Sequence, residues 1–445
     1  MAQSLKAPTT EDLMSMWNAS GLKEKLIFTF GMLVLFRFGI HLPVYGINNT
    51  AFANLAAQNN LLGFLDLFTG GALGKVSIFA LGIGPYITAS IIIQLMAVII
   101  PSLEKLQKEE GEAGRRKLSQ YTRLFTVVLA IFQGIIFMSY MVHLPNAIMP
   151  GVNHTMFYIS SIVSLTAGSV LVMWMSELIT EKGIGNGGSL IIFVGIISGI
   201  PLYMSRTYLM VQQESALMFG FILLMLIFFI TMIFIVIMQE AVRKVIIVNP
   251  KRQVGNKVYG GVNTFIPFKL NPGGVMPIIF AIAILLFPST VLSLVGQAHL
   301  TGTAETIFLV LNKLFNPSGL IYYAIYFIMI VLLTFFYASI MPNMQPKEIA
   351  DNLKKYGSSI PGVKPGKPTA EALDKILTKT TFIGAIALGF IALVPAFASY
   401  ATHITTFQGI GATSLIIMVG VALDLINQIN THLLARNYES FLKDG

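Results

Sequence analysis

The chain contains no cysteine in its 445 residues, which excludes disulfides, thiolate metal sites and thiol nucleophiles outright. Charge is scarce as well: Asp, Glu, Lys and Arg make up 11% of the residues, far below the share in a soluble domain. No His-Glu-x-x-His run occurs, and no histidine–carboxylate spacing on one helix face suggests a metal site. No cofactor is expected. What the chain has in quantity is hydrocarbon: 55% of its residues are hydrophobic, and the mean hydropathy is +0.75.

That hydrocarbon is arranged in ten runs long enough to cross a bilayer, near 26–42, 76–100, 124–142, 156–176, 189–205, 216–238, 274–296, 319–341, 380–399 and 412–430. The basic residues between them fall on alternate connections. Lys and Arg number 3 in 1–25, 6 in 101–123, 1 in 176–188, 6 in 239–272, 7 in 342–379 and 2 in the tail. The spans and the remaining connections hold only Arg37, Lys75, Arg206 and Lys313. The positive-inside rule makes the first set cytoplasmic, with both termini inside. The net charge of +9 could suggest nucleic acid, but no RNA-binding fold or helix-turn-helix pattern appears. These charges flank membrane spans, where anionic lipid attracts them. Glu11, Asp12 and Glu24 before the first run match a cleavable signal peptide poorly, so span one is expected to be retained.

Ten spans divide into a cytoplasmic N-terminal segment 1–25, a first half 26–205, an outer linker 206–215, a second half 216–430 and a tail 431–445. Five spans per half force the halves into opposite orientation, as in inverted-repeat transport proteins. The second span is expected to be interrupted. Leu61–Thr69 is apolar but reaches only about 14 Å as a helix. Gly70-Gly71 then breaks it, and the full-length span is expected from Val76. A short half-helix must be covered by protein or line a cavity. It reads either as a re-entrant segment packing the outer face or as a movable stopper for a central passage.

Two cytoplasmic segments are too long and charged for simple connectors. In 239–272, Val245–Val248, the Asn249-Pro250 turn, Lys251-Arg252 and Val258-Tyr259 predict a β-hairpin projecting from the membrane. Residues 342–379 carry ADNLKKYG, a Pro/Gly-rich turn at 361–368 and an amphipathic stretch Ala370–Leu377. Both read either as a docking site for a large cytosolic partner or as solvated loops that set topology.

The ionisable inventory of the spans is thin. Arg37 can snorkel from the outer end of span one, while Glu177 and Asp424 lie toward cytoplasmic ends. Asp424, the carboxylate closest to mid-membrane, is expected to pair with backbone or an arginine. His41, His143, His154, His299 and His403 fall near the outer surface, and His432 begins the tail. Gly183–Gly188 satisfies G-x-G-x-x-G formally but follows a membrane helix rather than a strand, so a tight cytoplasmic turn is expected. Asn48-Asn49-Thr50 and Asn153-His154-Thr155 match the glycosylation pattern, which is short enough to occur by chance. Three function classes remain: a passive channel with an apolar constriction, a five-plus-five secondary transporter with a broken-helix substrate site, and an intramembrane enzyme. The last lacks a nucleophile and a ligand set. The transporter wants a polar cluster at mid-membrane, which this inventory does not supply.

Four motifs then carry a resemblance: Ser77–Leu95 (SIFALGIGPYITASIIIQL), Gly111–Arg123 (GEAGRRKLSQYTR), Lys182–Gly187 (KGIGNG), and Ala350–Gly357 with Pro361–Gly366 (ADNLKKYG and PGVKPG). From about residue 23 to 442 the chain resembles the SecY family, the central subunit of the bacterial protein-conducting channel. The resemblance implies an all-α polytopic membrane protein with ten transmembrane helices in two inverted halves around a central pore, and a re-entrant plug half-helix. It also implies no enzymatic activity. It puts the pore ring on Ile83, Ile87, Ile192, Ile279 and Ile417, and the plug on 61–71 with Leu61, Leu62, Phe64, Leu65, Leu67 and Phe68. It puts the lateral gate between spans two and three and spans seven and eight, with Thr88, Gln94, Pro277 and Pro288. Docking of cytosolic partners falls on Arg243, Lys244, Lys251, Arg252, Lys257, Lys354, Lys355 and Lys364. The implied partners are SecE-like and SecG-like small membrane subunits, a SecA motor or a ribosome with contact to its RNA, an unfolded preprotein as passenger, and lipid. The implied location is the plasma or inner membrane. Two positions depart from the family pattern: Lys364 stands where arginine is usual, and Asn256-Lys257 replaces a basic pair at the hairpin tip. Lysine keeps the charge but not the bidentate fork.

Overall fold

The computed structural model describes residues 21–48, 66, 69–108, 110–143, 148–213, 217–254, 257–261, 263–295, 303–315, 319–340, 345–402 and 412–443. In these, the apolar runs form helices α1 (Leu22–Gly39), α2 (Gly84–Ile99), α3 (Pro101–Lys108), α4 (Gly111–His143), α5 (His154–Lys182), α6 (Gly187–Gln213) and α7 (Leu217–Glu240). Strands β1 (Val242–Ile247), β2 (Lys251–Val254), β3 (Lys257–Gly260) and β4 (Thr264–Lys269) follow. Helices α8 (Met276–Val295), α9 (Thr303–Phe315), α10 (Leu320–Ile340), α11 (Pro346–Tyr356), α12 (Lys367–Thr402) and α13 (Ala412–Lys443) complete the chain. Helices α1, α2, α4–α8, α10, α12 and α13 fall on the ten expected spans, in order. A backbone in hydrocarbon must satisfy its own hydrogen bonds, and helices do so within the segment. Large side chains such as Phe30, Phe38 and Phe219 stay exposed on the outer faces, as lipid contact requires. Where elements cross closely, glycine makes the room: a Cβ on Gly168 would strike the Ile78 carbonyl, and one on Gly384 the Leu270 carbonyl.

Span two departs from expectation. Its helix begins at Gly84 rather than Val76, and residues 69–83 form a chain of tight turns. Pro85 at the first turn of α2 is preset for a helix start and cannot donate into a preceding turn. Upstream, Val76 stands at φ 43, the one non-glycine with positive φ among the described residues. Its neighbours are satisfied without helix: Val44 N–H reaches the Val76 carbonyl at 3.0 Å, and Ile78 N–H the Leu42 carbonyl at 2.9 Å. This knot is wrapped by a cluster of Val44, Leu73, Val76, Ala80, Phe157 and Leu165, so irregular backbone at membrane depth is kept from lipid. At the other end of α2, Ile100 is extended before Pro101, and α3 departs at 107°.

The hairpin has two tiers instead of the expected single pairing of Val245–Val248 with Val258-Tyr259. β1 pairs antiparallel with β4, Val245 opposite Ile266, and β2 pairs with β3, Lys251 opposite Gly260. The second cytoplasmic segment is not separate from it. Val248 and Ser359 exchange backbone hydrogen bonds at 2.9 and 3.1 Å, and Ser358 Oγ donates to Asn249 Oδ1 at 2.8 Å. Beneath this joint Val245 and Phe268 of the hairpin bury against Leu373 and Leu377. The amphipathic stretch Ala370–Leu377 thus belongs to the same 36-residue helix that forms span nine, α12. ADNLKKYG ends α11 in a Schellman turn: Gly357 takes φ 69, and Ser358 N–H bonds the Leu353 carbonyl at 2.9 Å.

Candidate functional site

The pattern of burial locates the centre of the molecule. Ile83, Ile192, Ile279 and Ile417 are exposed by 3, 1, 6 and 0% and share one cluster, and half-buried Ile87 packs against it. They come from the start of α2, from α6, from α8 and from α13, elements that lie far apart in sequence. Their alignment has local causes. The Ile83 side chain reaches the first turn of α6 at Gly188. Val275 fills the place of a side chain on Gly420, which brings Ile279, one turn on in α8, level with Ile417 on α13. All five are β-branched and therefore stiff at χ1, so their meeting forms a defined collar.

Above the collar, on the side of the Gly183–Gly188 turn, opens a cleft of about 570 Å³. Ile87, Ile192 and Ile279 form its floor, and its walls carry Ser90, Gln94, Glu177, Thr180 and Asn186. Arg123 Nε on α4 donates to Glu177 Oε1 on α5 at 2.9 Å across one wall. The site is thus wet-walled with a dry floor: polar groups that water or a passing backbone can pair with lie above, and hydrocarbon lies below.

One wall is a seam between α2 and α4 on one side and α8 and α10 on the other. Tyr337 Oη of α10 donates to Gln94 Oε1 of α2 at 3.3 Å, and the Tyr337 ring meets Phe280 edge-on at 5.3 Å between centroids. Gln94 turns its amide nitrogen back to Ser90 Oγ at 3.0 Å. Of the other expected gate residues, Thr88 bonds the Gly84 carbonyl within α2, Pro277 is buried in the first turn of α8, and Pro288 lies inside α8. Tyr337 was not foreseen; it is one of several hydroxyl-bearing residues of α10, and nothing in the sequence singles it out.

The opposite side is stitched through the Gly183–Gly188 turn, which is the expected tight turn and more. Ile184 N–H bonds Thr29 Oγ1 of α1 at 3.0 Å, Gly185 N–H bonds Gln428 Oε1 of α13 at 2.8 Å, and Gly187 N–H bonds Thr180 Oγ1 at 2.8 Å. Asn186 Oδ1 then accepts from Ser189 N–H and caps α6. On the outer face Asn153 does the same for α5, bonding Thr155 N–H at 3.1 Å, which gives its Asn-x-Thr pattern a structural use.

Two expectations for charged residues need correction. Arg37 does not snorkel outward: its Nη1 donates to the Gly70 carbonyl at 2.7 Å, which the glycine turn brings within reach. Asp424 is exposed on α13 with no backbone or arginine partner among the described residues, and lies in the field of Lys269 and Glu240. Among the described residues, neither correction builds a polar cluster at the collar.

Of the expected plug, Leu61, Leu62, Phe64, Leu65, Leu67 and Phe68 lie outside the described residues; Asp66 and Thr69–Gly71 lie within them. Of the docking set, Arg243, Lys244, Lys354, Lys355 and Lys364 are exposed on the joined hairpin and loop, with Lys244 Nζ 5.0 Å over the Phe265 ring. Lys251, Arg252 and Lys257 occupy β2 and β3 at the far tier, and Asn256 lies outside the described residues.

A buried collar beneath a polar cleft, on ten spans, is the arrangement the family resemblance implies, and comparison with known proteins shows the family. The family model described as SecY matches residues 77–426. The chain is 45% identical over 443 residues to the protein translocase subunit SecY of Synechocystis sp., covering 98% of each, and 40% identical to that of Escherichia coli K12, covering 95% and 94%. The chain belongs to the SecY family. Among solved structures it superposes on a SecY channel described through its plug domain with a TM-score of 0.66 at 17% identity, covering 97% of this chain and 94% of that one. It superposes on Sec61 from a canine ribosome–channel complex with a TM-score of 0.60 at 17% identity and the same coverage. The SecY fold is a ten-helix membrane channel fold, and this chain has it.

Proposed function

We propose that this chain is the pore-forming subunit of a membrane protein translocase, conducting unfolded polypeptides across the bilayer and releasing apolar segments sideways into lipid. The observation that carries this reading is the meeting of five isoleucines from four distant elements under a polar-walled cleft. A dry collar resists ions by dewetting and closes around any extended chain without offering it hydrogen bonds to stick on. The cleft above it hydrates the entering backbone. The seam at Gln94 and Tyr337 is the exit to lipid, with Thr88, Pro277 and Pro288 along it, and a passenger with about 20 apolar residues gains by leaving. Secretion and membrane insertion then become one partitioning decision made by the passenger.

In this reading the halves 26–205 and 216–430 part around the pore, the segment 61–71 stops it at rest, and both termini face the cytoplasm of a plasma or inner membrane. Energy comes from outside the chain. The exposed lysines and arginines of the hairpin and loop dock a SecA-like motor or a ribosome, including its RNA, and SecE-like and SecG-like subunits brace the outside. The canine relative's description as part of a ribosome–channel complex supports the ribosome as one such partner. Replacing Ile87 and Ile192 by glycine in the reconstituted complex is expected to raise ion efflux from vesicles. Efflux equal to the parent's would defeat the collar. Deleting Leu61–Thr69 is expected to relax rejection of defective signal sequences, and unaltered stringency would remove the stopper.

A further inference from the structure

The knot between α1 and α2 is fastened at one point more firmly than a connecting turn requires. Gly70 takes φ 71 and sits between two helices: its carbonyl accepts from Arg37 Nη1 of α1 at 2.7 Å, and a Cβ added to it would lie 2.9 Å from Gly195 Cα of α6. Gly195 stands three residues from Ile192, on the same face of α6 and one turn further outward. The backbone around Gly70 is held as well. Leu73 N–H bonds Thr69 Oγ1 at 3.1 Å, Gly74 N–H bonds Asp66 Oδ1 at 2.6 Å, and Gly71 N–H bonds the Asp66 carbonyl at 2.8 Å. The same stretch of turns leads directly into Ile83, the residue before α2.

Arg37 is itself held in place. The His41 ring lies between its carbonyl, 2.9 Å from Nδ1, and Lys75 Nζ, 2.8 Å from Nε2. Lysine can only donate, so Nε2 accepts and Nδ1–H donates to the Arg37 carbonyl. The end of α1 is thereby tied to the knot at two places, the guanidinium on Gly70 and the imidazole on Lys75.

We infer that Arg37 is a positioning residue for the ion seal: it presses Gly70 onto Gly195 and so fixes the outer side of the collar at Ile83 and Ile192. This rests on the collar reading above. A guanidinium suits the task because its planar fork makes a strong charge-assisted bond to a neutral carbonyl. The seat opens when the bond breaks, and no residue of the collar has to change. Arg37 therefore sets how often the resting pore leaks, separately from how the collar fits a passenger.

The experiment measures ion efflux from vesicles containing the full complex with its partner subunits, carrying Arg37→Met, Arg37→Lys, Gly70→Ala, the Arg37→Met/Gly70→Ala pair, or the collar variant Ile87→Gly/Ile192→Gly. Arg37→Met is expected to raise resting efflux several-fold, and Arg37→Lys to restore most of the seal because an ammonium still donates to the carbonyl. Gly70→Ala keeps Arg37 but lifts the turn off Gly195, so it leaks alike and reports on the same seat should Arg37→Met fail to accumulate. The double variant leaks no more than the worse single one, since both break one contact. Efflux that adds across the pair, or an Arg37→Met protein as tight as the parent while the collar variant leaks, overturns the inference. A tight collar variant overturns the collar reading and this inference with it.

Discussion

The two sides on which the halves meet are built differently. On one side the chain itself passes from α6 into α7, α6 packs on α13, and the Gly185 amide bonds Gln428 at 2.8 Å. On the other side α2 and α4 face α8, and the polar contact is the bond between Tyr337 and Gln94 at 3.3 Å, beside an aromatic edge. The Gly185 bond is solvent-exposed and the Tyr337 bond half-buried, so neither bond alone sets the contrast. The first side is held instead by the chain passing through it and by the packing of α6 on α13. In the proposed reading the first side therefore serves as the hinge, and the seam at Tyr337 is the side expected to open.

The sharpest way to break that contrast uses the natural absence of cysteine. A short bismaleimide bridging Gln94→Cys to Tyr337→Cys is expected to abolish export in a reconstituted translocation assay, whereas bridging Gly185→Cys to Gln428→Cys leaves it near the parent level. Equal inhibition by both bridges would erase the distinction. A smaller effect is expected from Tyr337→Phe, which removes one hydrogen bond and favours opening by about 0.5–1.5 kcal/mol. It should read out as better export of a passenger with a weakened signal, and unchanged or poorer export would place the seam elsewhere. Gln428→Ala is expected to lower resistance to thermal unfolding by about 1 kcal/mol while leaving signal stringency alone. A stringency change would make the stitched side part of the gate. The least effect belongs to Arg123→Gln, which breaks a half-exposed pair within the first half. A loss of about 0.2–1 kcal/mol in stability, shrinking as salt rises, is expected there, and a salt-independent loss would assign the arginine another partner.

Much of the frame was legible before any coordinates. Apolar run length and the alternation of basic loops set out ten spans in order, because the bilayer imposes both rules on every segment independently. The start of α2 was not legible, since hydropathy counts Val76–Leu81 as membrane whether or not the backbone is helical; only the Gly82, Gly84 and Pro85 punctuation hinted at a later beginning. Nor was the joining of the cytoplasmic segments, where Val248 meets Ser359 and Asn249 meets Ser358 across more than a hundred residues. The collar isoleucines carried almost no signal of their own: Ile417 is one aliphatic residue among many until α8 and α13 place it opposite Ile279. Arg37 misled for the same reason, its partner being the backbone of a glycine that sequence does not bring near.

The uninterrupted course of α12 has a mechanical result. Its N-terminal end is cemented under the hairpin by Leu373 and Leu377, and its apolar portion lies along α10, the helix that bears Tyr337. From Lys367 to Pro395 this is a stiff rod of about 42 Å at 1.5 Å per residue. A rocking of about 5° at the basic headpiece therefore swings the opposite end by roughly 4 Å, more than the span of a hydrogen bond. Under the proposed docking, a partner bearing on the basic headpiece would work a tiller whose blade lies beside the Tyr337 seam.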